Sequence, residues 1–201
     1  MGYSWAKNCI HVEHGLYLDK DGKKLATRKG KTIFMSSVLE KTNDLAQKEI
    51  KKRDKKISKK NLNERSLKVA IAAIFYGDLK NNRKNDAVFD LKKFVSFDGD
   101  TGPYLLYSYA RANSITKKSK NPFSQFVVDS LEQKETELIL KLNEFPSIVL
   151  KAYESLNPSV IANYSFQLAQ TFNEFYHACP VLKSKNENFR LALVDSFKQV
   201  L

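Results

Sequence analysis

A chain of 201 residues that is 42% hydrophobic and 11% aromatic has enough apolar side chain to bury a core, as one large domain or one domain joined to part of another. Seven Gly and five Pro leave few turns and favour long helices, and every apolar run falls well short of the ~20 residues that cross a bilayer. The net charge of +12 is uneven: residues 1–120 carry 27 Lys+Arg against 13 Asp+Glu and residues 121–201 seven against nine, as expected where one face meets a polyanion and the rest is scaffold.

The first five residues lack the basic-then-apolar layout of a signal peptide, and Ala6 stands where a myristoylation site needs Ser or Thr. Residues 9–18 (CIHVEHGLYL) mix β-branched and aromatic residues with polar ones, which predicts a strand, and a Gly- and Lys-rich loop follows over 19–31. Ser37 followed by Glu40 reads as a capping box opening a helix with Val38, Leu39, Thr42, Leu45, Ala46 and Ile50 on one face. From Lys48 to Lys60 eight of thirteen residues are Lys or Arg, a solvated face or linker on one reading and a nucleic-acid contact on the other. A second helix is predicted over 66–80, with Leu67, Ala70, Ile71, Ile74, Phe75 and Leu79 at helical spacing. After a polar stretch and another turn or two of helix, the loop Asp98-Gly99-Asp100-Thr101-Gly102 leads to Pro103, which suits the start of a helix carrying Tyr104, Leu105, Tyr107, Tyr109 and Arg111.

Beyond a polar break at 117–121 the periodicity is helical to the end. Ser130-Leu131-Glu132-Gln133 reads as a capping box for a helix with Leu131, Leu138, Leu142 and Phe145 inward, and Pro146 ends it or starts the next, over 147–156. Asn157-Pro158 opens a helix to about His177 with Ile161, Tyr164, Leu168, Phe172 and Phe175 inward. Asn186 or Asn188 caps a last helix with Phe189, Leu193, Val194, Phe197 and Leu201 apolar. The chain stops mid-helix, which suggests truncation. From about residue 96 the expectation is an antiparallel helix bundle. Cys9 and Cys179 match no metal or redox spacing and read as small core residues in a reducing compartment. His11 and His14, three apart on a predicted strand, face opposite sides and make no metal site.

Several stretches, in the same order along the chain, resemble one family. Lys24-Leu25-Ala26-Thr27-Arg28-Lys29-Gly30 looks like the mobile ATP loop of class I aminoacyl-tRNA synthetases, which in many arginyl enzymes reads Lys-Met-Ser-Thr-Arg-Lys-Gly. Residues 97–111 (FDGDTGPYLLYSYAR) are similar to the arginyl enzymes' Gly-Asn/Asp-Thr-Gly/Ala-Pro-Tyr-Leu-Gln-Tyr segment. Residues 168–177 (LAQTFNEFYH), with Phe189-Arg190-Leu191-Ala192-Leu193 after them, look like the second half of the helical anticodon domain named DALR, and Tyr3-Ser4-Trp5-Ala6 fits the segment ahead of the ATP loop. The chain departs from the pattern at Leu25 and Ala26, and the other class I signature, His-x-Gly-His, is absent.

The resemblance implies a mainly α fold: residues 1–95 as the C-terminal remnant of a nucleotide-binding α/β catalytic domain, and 96–201 as the anticodon-binding bundle. It implies an arginine–tRNA ligase as parent enzyme, with ATP (and Mg2+), arginine and tRNA-Arg as its partners, in a cytoplasmic monomer with no DNA or membrane partner. Lys24, Thr27, Arg28, Lys29 and Gly30 would bind ATP, with Lys24 and Arg28 stabilising charge on the departing phosphates in the transition state. Without the His-x-Gly-His half the chain alone is expected to be inactive. Tyr104, Tyr107, Arg111, Phe172 and Tyr176 would contact anticodon bases by stacking, the other reading of aromatics at this spacing being core. The loop over 98–103 would couple anticodon binding to the ATP loop. A free-standing, non-catalytic RNA-binding module is the alternative.

Overall fold

The computed structural model describes residues 2–19, 21–24, 34–88, 90–119, 126–128 and 130–201. Two helical bodies, each with its own hydrophobic core, follow one another along the chain. The first is a hairpin of α1 (Met35–Arg53) and α2 (Lys59–Leu79), closed by the short α3 (Leu91–Phe94). Its core is Ala46, Ile50, Leu62, Val69, Ala73 and Val95. The second comprises α4 (Gly102–Lys118), α5 (Gln133–Asn143), α6 (Phe145–Glu154), α7 (Ser159–Ala178) and α8 (Glu187–Val200). Fully buried Leu138, Leu168, Phe172, Phe175, Val194 and Phe197 form its centre. The fold is mainly α, as expected, with an antiparallel helix bundle following the first body.

The first helices differ from expectation in informative ways. The strand over 9–18 shrinks to β1 (Tyr17–Leu18), paired in parallel with β2 (Ala87–Val88), while Ser4–Asn8 forms a 3-10 turn. Residues 10–14 are exposed and Gly15 docks on the 83–86 turn, its N–H donating to the Arg83 carbonyl at 2.6 Å. Helix α1 starts at Met35, two residues before Ser37, so Ser37 lies inside the first turn and Glu40 in the second, and the pair does not cap the helix. Its inward face, Val38, Thr42, Ala46 and Ile50, is as predicted. Helix α2 starts at Lys59, seven residues earlier than expected, because Ser58 caps it by accepting from the Asn61 N–H at 3.3 Å and Leu62 and Ser66 extend the buried face. That face is Leu62, Val69, Ala70, Ala73 and Tyr76, whereas Leu67, Ile71, Phe75 and Leu79 are exposed. Of the predicted stripe Ala70 is buried while most of its bulkier members are exposed; the helix packs inward through the small Ala70 and Ala73 beside Leu62 and Val69. The basic stretch is exposed at Lys48, over 51–56 and over 58–60, with the Arg53 guanidinium 4.5 Å from the Phe97 ring centroid.

In the bundle, Thr101 caps α4 by accepting from the Tyr104 N–H at 3.3 Å, with Pro103 in the first turn. The capping box of α5 is Glu132/Glu135 rather than a box opened by Ser130: the Glu132 N–H donates to Glu135 Oε2 at 2.7 Å, and Leu131 is exposed. Asn157 holds the first turn of α7 through Ser159, whose N–H and hydroxyl donate to its Oδ1 at 3.2 and 2.8 Å. Ile161, expected inward, sits at the surface. Glu135 is fully buried, and Arg190 Nε donates to its Oε1 at 2.7 Å. Arg190 also donates from Nη1 to the Pro180 carbonyl at 2.8 Å and from Nη2 to Glu132. Glu132, Glu135 and Cys179 lie close enough to hold a metal, but Arg190 is the cation at that spot.

The two bodies meet where α2 crosses α4. A Cβ on Gly102 would collide with the Ala72 carbonyl, so this contact needs glycine. Tyr76 of α2 donates its hydroxyl to Asp100 and lies 3.2 Å from the Ala162 carbonyl of α7. Lys80 Nζ contacts the Asp100 carbonyl and carboxylate at 2.7 and 3.2 Å.

Candidate nucleic-acid interface

Two groups of residues were singled out by sequence. Of the first, Lys24 lies at the stem of its loop: Leu18 and Lys24 form an antiparallel bridge, and Asp19 Oδ1 accepts from the N–H groups of Asp21 and Lys23 at 3.0 and 2.8 Å. Gly22, at φ +74, turns the chain between them, and Lys24 is exposed. Thr27, Arg28, Lys29 and Gly30 lie outside the described residues.

The second group divides. On α4, Tyr104, Tyr107, Ser108 and Arg111 share a face because they are spaced three or four apart. Opposite them on α7 stand Asn173 and Tyr176. The Arg111 guanidinium carbon lies 4.9 Å from the Tyr107 ring centroid and 4.8 Å from that of Tyr176. Both rings keep exposed surface, and the guanidinium is half-buried between the helices. Tyr107, Arg111 and Tyr176 line one side of an open groove of about 730 Å³ that continues past His177 to Lys118 and Leu182. A second hollow of about 680 Å³, with Lys183, Lys185 and Phe126 in its wall, shares Lys118 and Leu182 with it. Aromatic faces, a guanidinium and lysines along one trough suit a single-stranded polyanion whose bases stack.

Phe172 does not belong there. It is fully buried and stacks on Phe197 with centroids 3.9 Å apart and planes 5° from parallel. Tyr176, four residues on, emerges at the end of the stripe that buries Phe172, so spacing alone could not separate the two. Tyr104 is half-buried against Phe166, centroids 5.5 Å apart, and its hydroxyl accepts from Asn173 Nδ2 at 2.9 Å. It supports the site from beneath and is not part of the groove lining. Asn173 and Ser108 escaped the sequence reading. The available signal was a polar residue three before Tyr176, on the face that also carries Phe172's neighbours.

Residues 1–91 match the family described as tRNA synthetases class I (R), catalytic domain, and residues 105–201 match the DALR anticodon binding domain. The chain is 38% identical over 202 residues to the arginine–tRNA ligase of Lactobacillus johnsonii and 39% identical over 204 residues to that of Clostridium acetobutylicum; each alignment covers 100% of this chain and 36% of the relative. Among solved structures it is similar to Thermus thermophilus arginyl-tRNA synthetase, with a TM-score of 0.82 and 28% identity over 92% of this chain and 32% of that one. Plasmodium falciparum arginyl-tRNA synthetase gives a TM-score of 0.77 and 27% identity over 84% of this chain and 31% of that one. The chain spans about a third of the length of the curated relatives it matches.

Proposed function

The chain belongs to the arginyl-tRNA synthetase family, and from that membership we propose that it is the tRNA-reading part of an arginine–tRNA ligase, holding anticodon-loop bases against Tyr107, Arg111 and Tyr176. The observation that carries this reading is the Arg111 guanidinium set over both tyrosine rings on an open groove, within the stretch that matches the anticodon binding family. Bases of a single-stranded loop are read by splaying them out and stacking them on aromatic and guanidinium planes. The exposed surfaces of Tyr107 and Tyr176 offer such planes. We place the division between catalytic and anticodon parts near residue 95, a reading supported by the two separate cores.

In the longer enzyme ATP and arginine form arginyl-adenylate, and the arginyl group then passes to the terminal ribose of tRNA-Arg. Lys24, Thr27, Arg28, Lys29 and Gly30 bind ATP there, with Lys24 and Arg28 acting on the departing phosphates as charge accumulates. Lys24, exposed at the loop stem, fits that role. We expect no ATP–pyrophosphate exchange from this chain alone, which lacks a His-x-Gly-His motif.

The test is a titration of the chain with tRNA-Arg and an anticodon-substituted tRNA at two salt concentrations. Tighter binding to the cognate anticodon, with a ratio that survives added salt, is expected. Tyr107→Ala and Tyr176→Ala should each cost about 1–3 kcal/mol of that binding. Equal binding to both tRNAs, vanishing with salt, would leave only the basic surface at work and sink the assignment.

A further inference from the structure

The polar contacts beneath the two tyrosines converge on one side chain. Asn173 Oδ1 accepts from Arg111 Nη1 at 2.5 Å, while its Nδ2 donates to Tyr104 Oη and to Ser108 Oγ, both at 2.9 Å. Ser108 is fully buried, and its hydroxyl donates to the Tyr104 carbonyl at 3.0 Å. With that proton committed, Ser108 Oγ can only accept from Asn173. Arginine can only donate, so the amide has one orientation that satisfies all its neighbours. The Nη2 group of Arg111 reaches the Tyr107 hydroxyl at 3.2 Å. Among the described residues no carboxylate pairs with Arg111.

We propose that Asn173 is the positioning residue of this site: it fixes the Arg111 guanidinium over the Tyr107 and Tyr176 rings through a neutral amide, so that the arginine is oriented with its full charge still available to RNA. This rests on the reading of that surface as an RNA contact. A carboxylate at the same place would hold the guanidinium equally well but would cancel the charge that RNA needs. An amide separates the two effects, and its own two donors anchor it to α4 at Ser108 and Tyr104. A hydrogen bond to a charged group that orients a binding side chain is worth roughly a factor of ten to a hundred when removed.

The test uses the whole chain, tRNA-Arg and an anticodon-substituted tRNA. Asn173→Ala is expected to lower the cognate-to-substituted affinity ratio roughly tenfold. In an Arg111→Ala background the same change should do nothing further, because Asn173 acts through Arg111. A merely structural asparagine would give additive effects of the two substitutions, and that result, or an unchanged ratio in Asn173→Ala, overturns the proposal while leaving the RNA reading intact. If Asn173→Ala does not fold, as judged by its circular dichroism, the isosteric Asn173→Asp carries the test. It should weaken binding and lower the slope of log affinity on log salt by about one; a wild-type slope and affinity would overturn the proposal. Absence of anticodon discrimination in the unmutated chain would instead remove the RNA reading, and the proposal with it.

Discussion

Replacing Arg190 with methionine strips the cation from the most deeply buried ion pair described in the bundle. Arg190 is 4% exposed and Glu135 0%, so neither charge can recover its solvation from water. In Arg190→Met the Glu135 carboxylate keeps the Glu132 N–H at 2.7 Å and loses the guanidinium donor at 2.7 Å, while the Pro180 carbonyl loses its donor at 2.8 Å. Removing one partner of a buried pair costs about 3–5 kcal/mol, mostly the penalty of the charge left behind. For a chain of this size that corresponds to a fall in Tm of roughly 10–15 °C. The Glu132 contact adds little, since that carboxylate is 55% exposed. Thermal and urea unfolding followed by helical circular dichroism would measure the loss. The second arm is Arg190→Met with Glu135→Gln, which removes the stranded charge while a carbonyl oxygen remains to accept from Glu132, and should recover at least half of it. A loss under about 1 kcal/mol, or a double variant no more stable than the single one, would refute the assignment of the cost to an uncompensated buried carboxylate.

Phe172→Ala should destabilise the bundle by about 3–5 kcal/mol, as expected for an aromatic deleted from a core. The tRNA affinity of the folded fraction should stay within about twofold; a large affinity loss at unchanged stability would restore Phe172 to the RNA surface. Alkylation of the native chain near pH 8 should modify Cys9, which is exposed, and spare Cys179, whose thiol is pushed up to about 11 by burial and by its contact with Glu132; rapid modification of both, read by mass spectrometry, would contradict this. Burial, with Glu144 nearby, pushes the Tyr164 hydroxyl up to about 12, and burial with Asp100 raises Tyr76 further. The folded state therefore holds these protons more tightly than the unfolded chain, whose tyrosines titrate near pH 10. The stabilisation is complete below that pH and is lost as pH rises from about 10 to 12, so Tm should fall across that window. Phenolate absorbance completing its rise near pH 10 in the folded chain would disprove it.

Much of the helical framework was legible because amphipathic periodicity survives in single sequences: the inward faces of α1, α7 and α8 were read nearly correctly from Ala46, Leu168, Phe172 and Val194. Helix α2 was not, because it is apolar on two sides. Its inner side is built from Ala70 and Ala73, whose value lies in what they leave out, and hydrophobicity scales favour Phe75 and Ile71. The start of α2 was hidden for another reason, since Lys59 and Lys60 look like linker until Ser58 is seen to cap them. Tyr107, Arg111 and Tyr176 are singled out by spacing and by resemblance, and the structure brings the three together. Asn173, Ser108 and the Glu135–Arg190 pair were missed because polar residues carry a strong surface prior, and only contacts between distant parts of the chain overturn it.

The hydroxyl of Tyr76 carries a single proton and faces two oxygens across the junction, the carboxylate of Asp100 in the loop before α4 and the Ala162 carbonyl of α7 3.2 Å away. It cannot serve both fully. The junction is tied at other points as well: the Lys80 carbonyl accepts from Asn163 Nδ2 of α7 at 3.2 Å, and Arg83 Nη2 donates to the Ser155 carbonyl at the end of α6 at 3.3 Å. At the Gly102–Ala72 crossing a Cβ would fall 2.3 Å from the Ala72 carbonyl, so no side chain cushions the approach of the two helices. A joint tied at several points, with backbone close to backbone at its centre, should transmit strain between the two bodies instead of absorbing it.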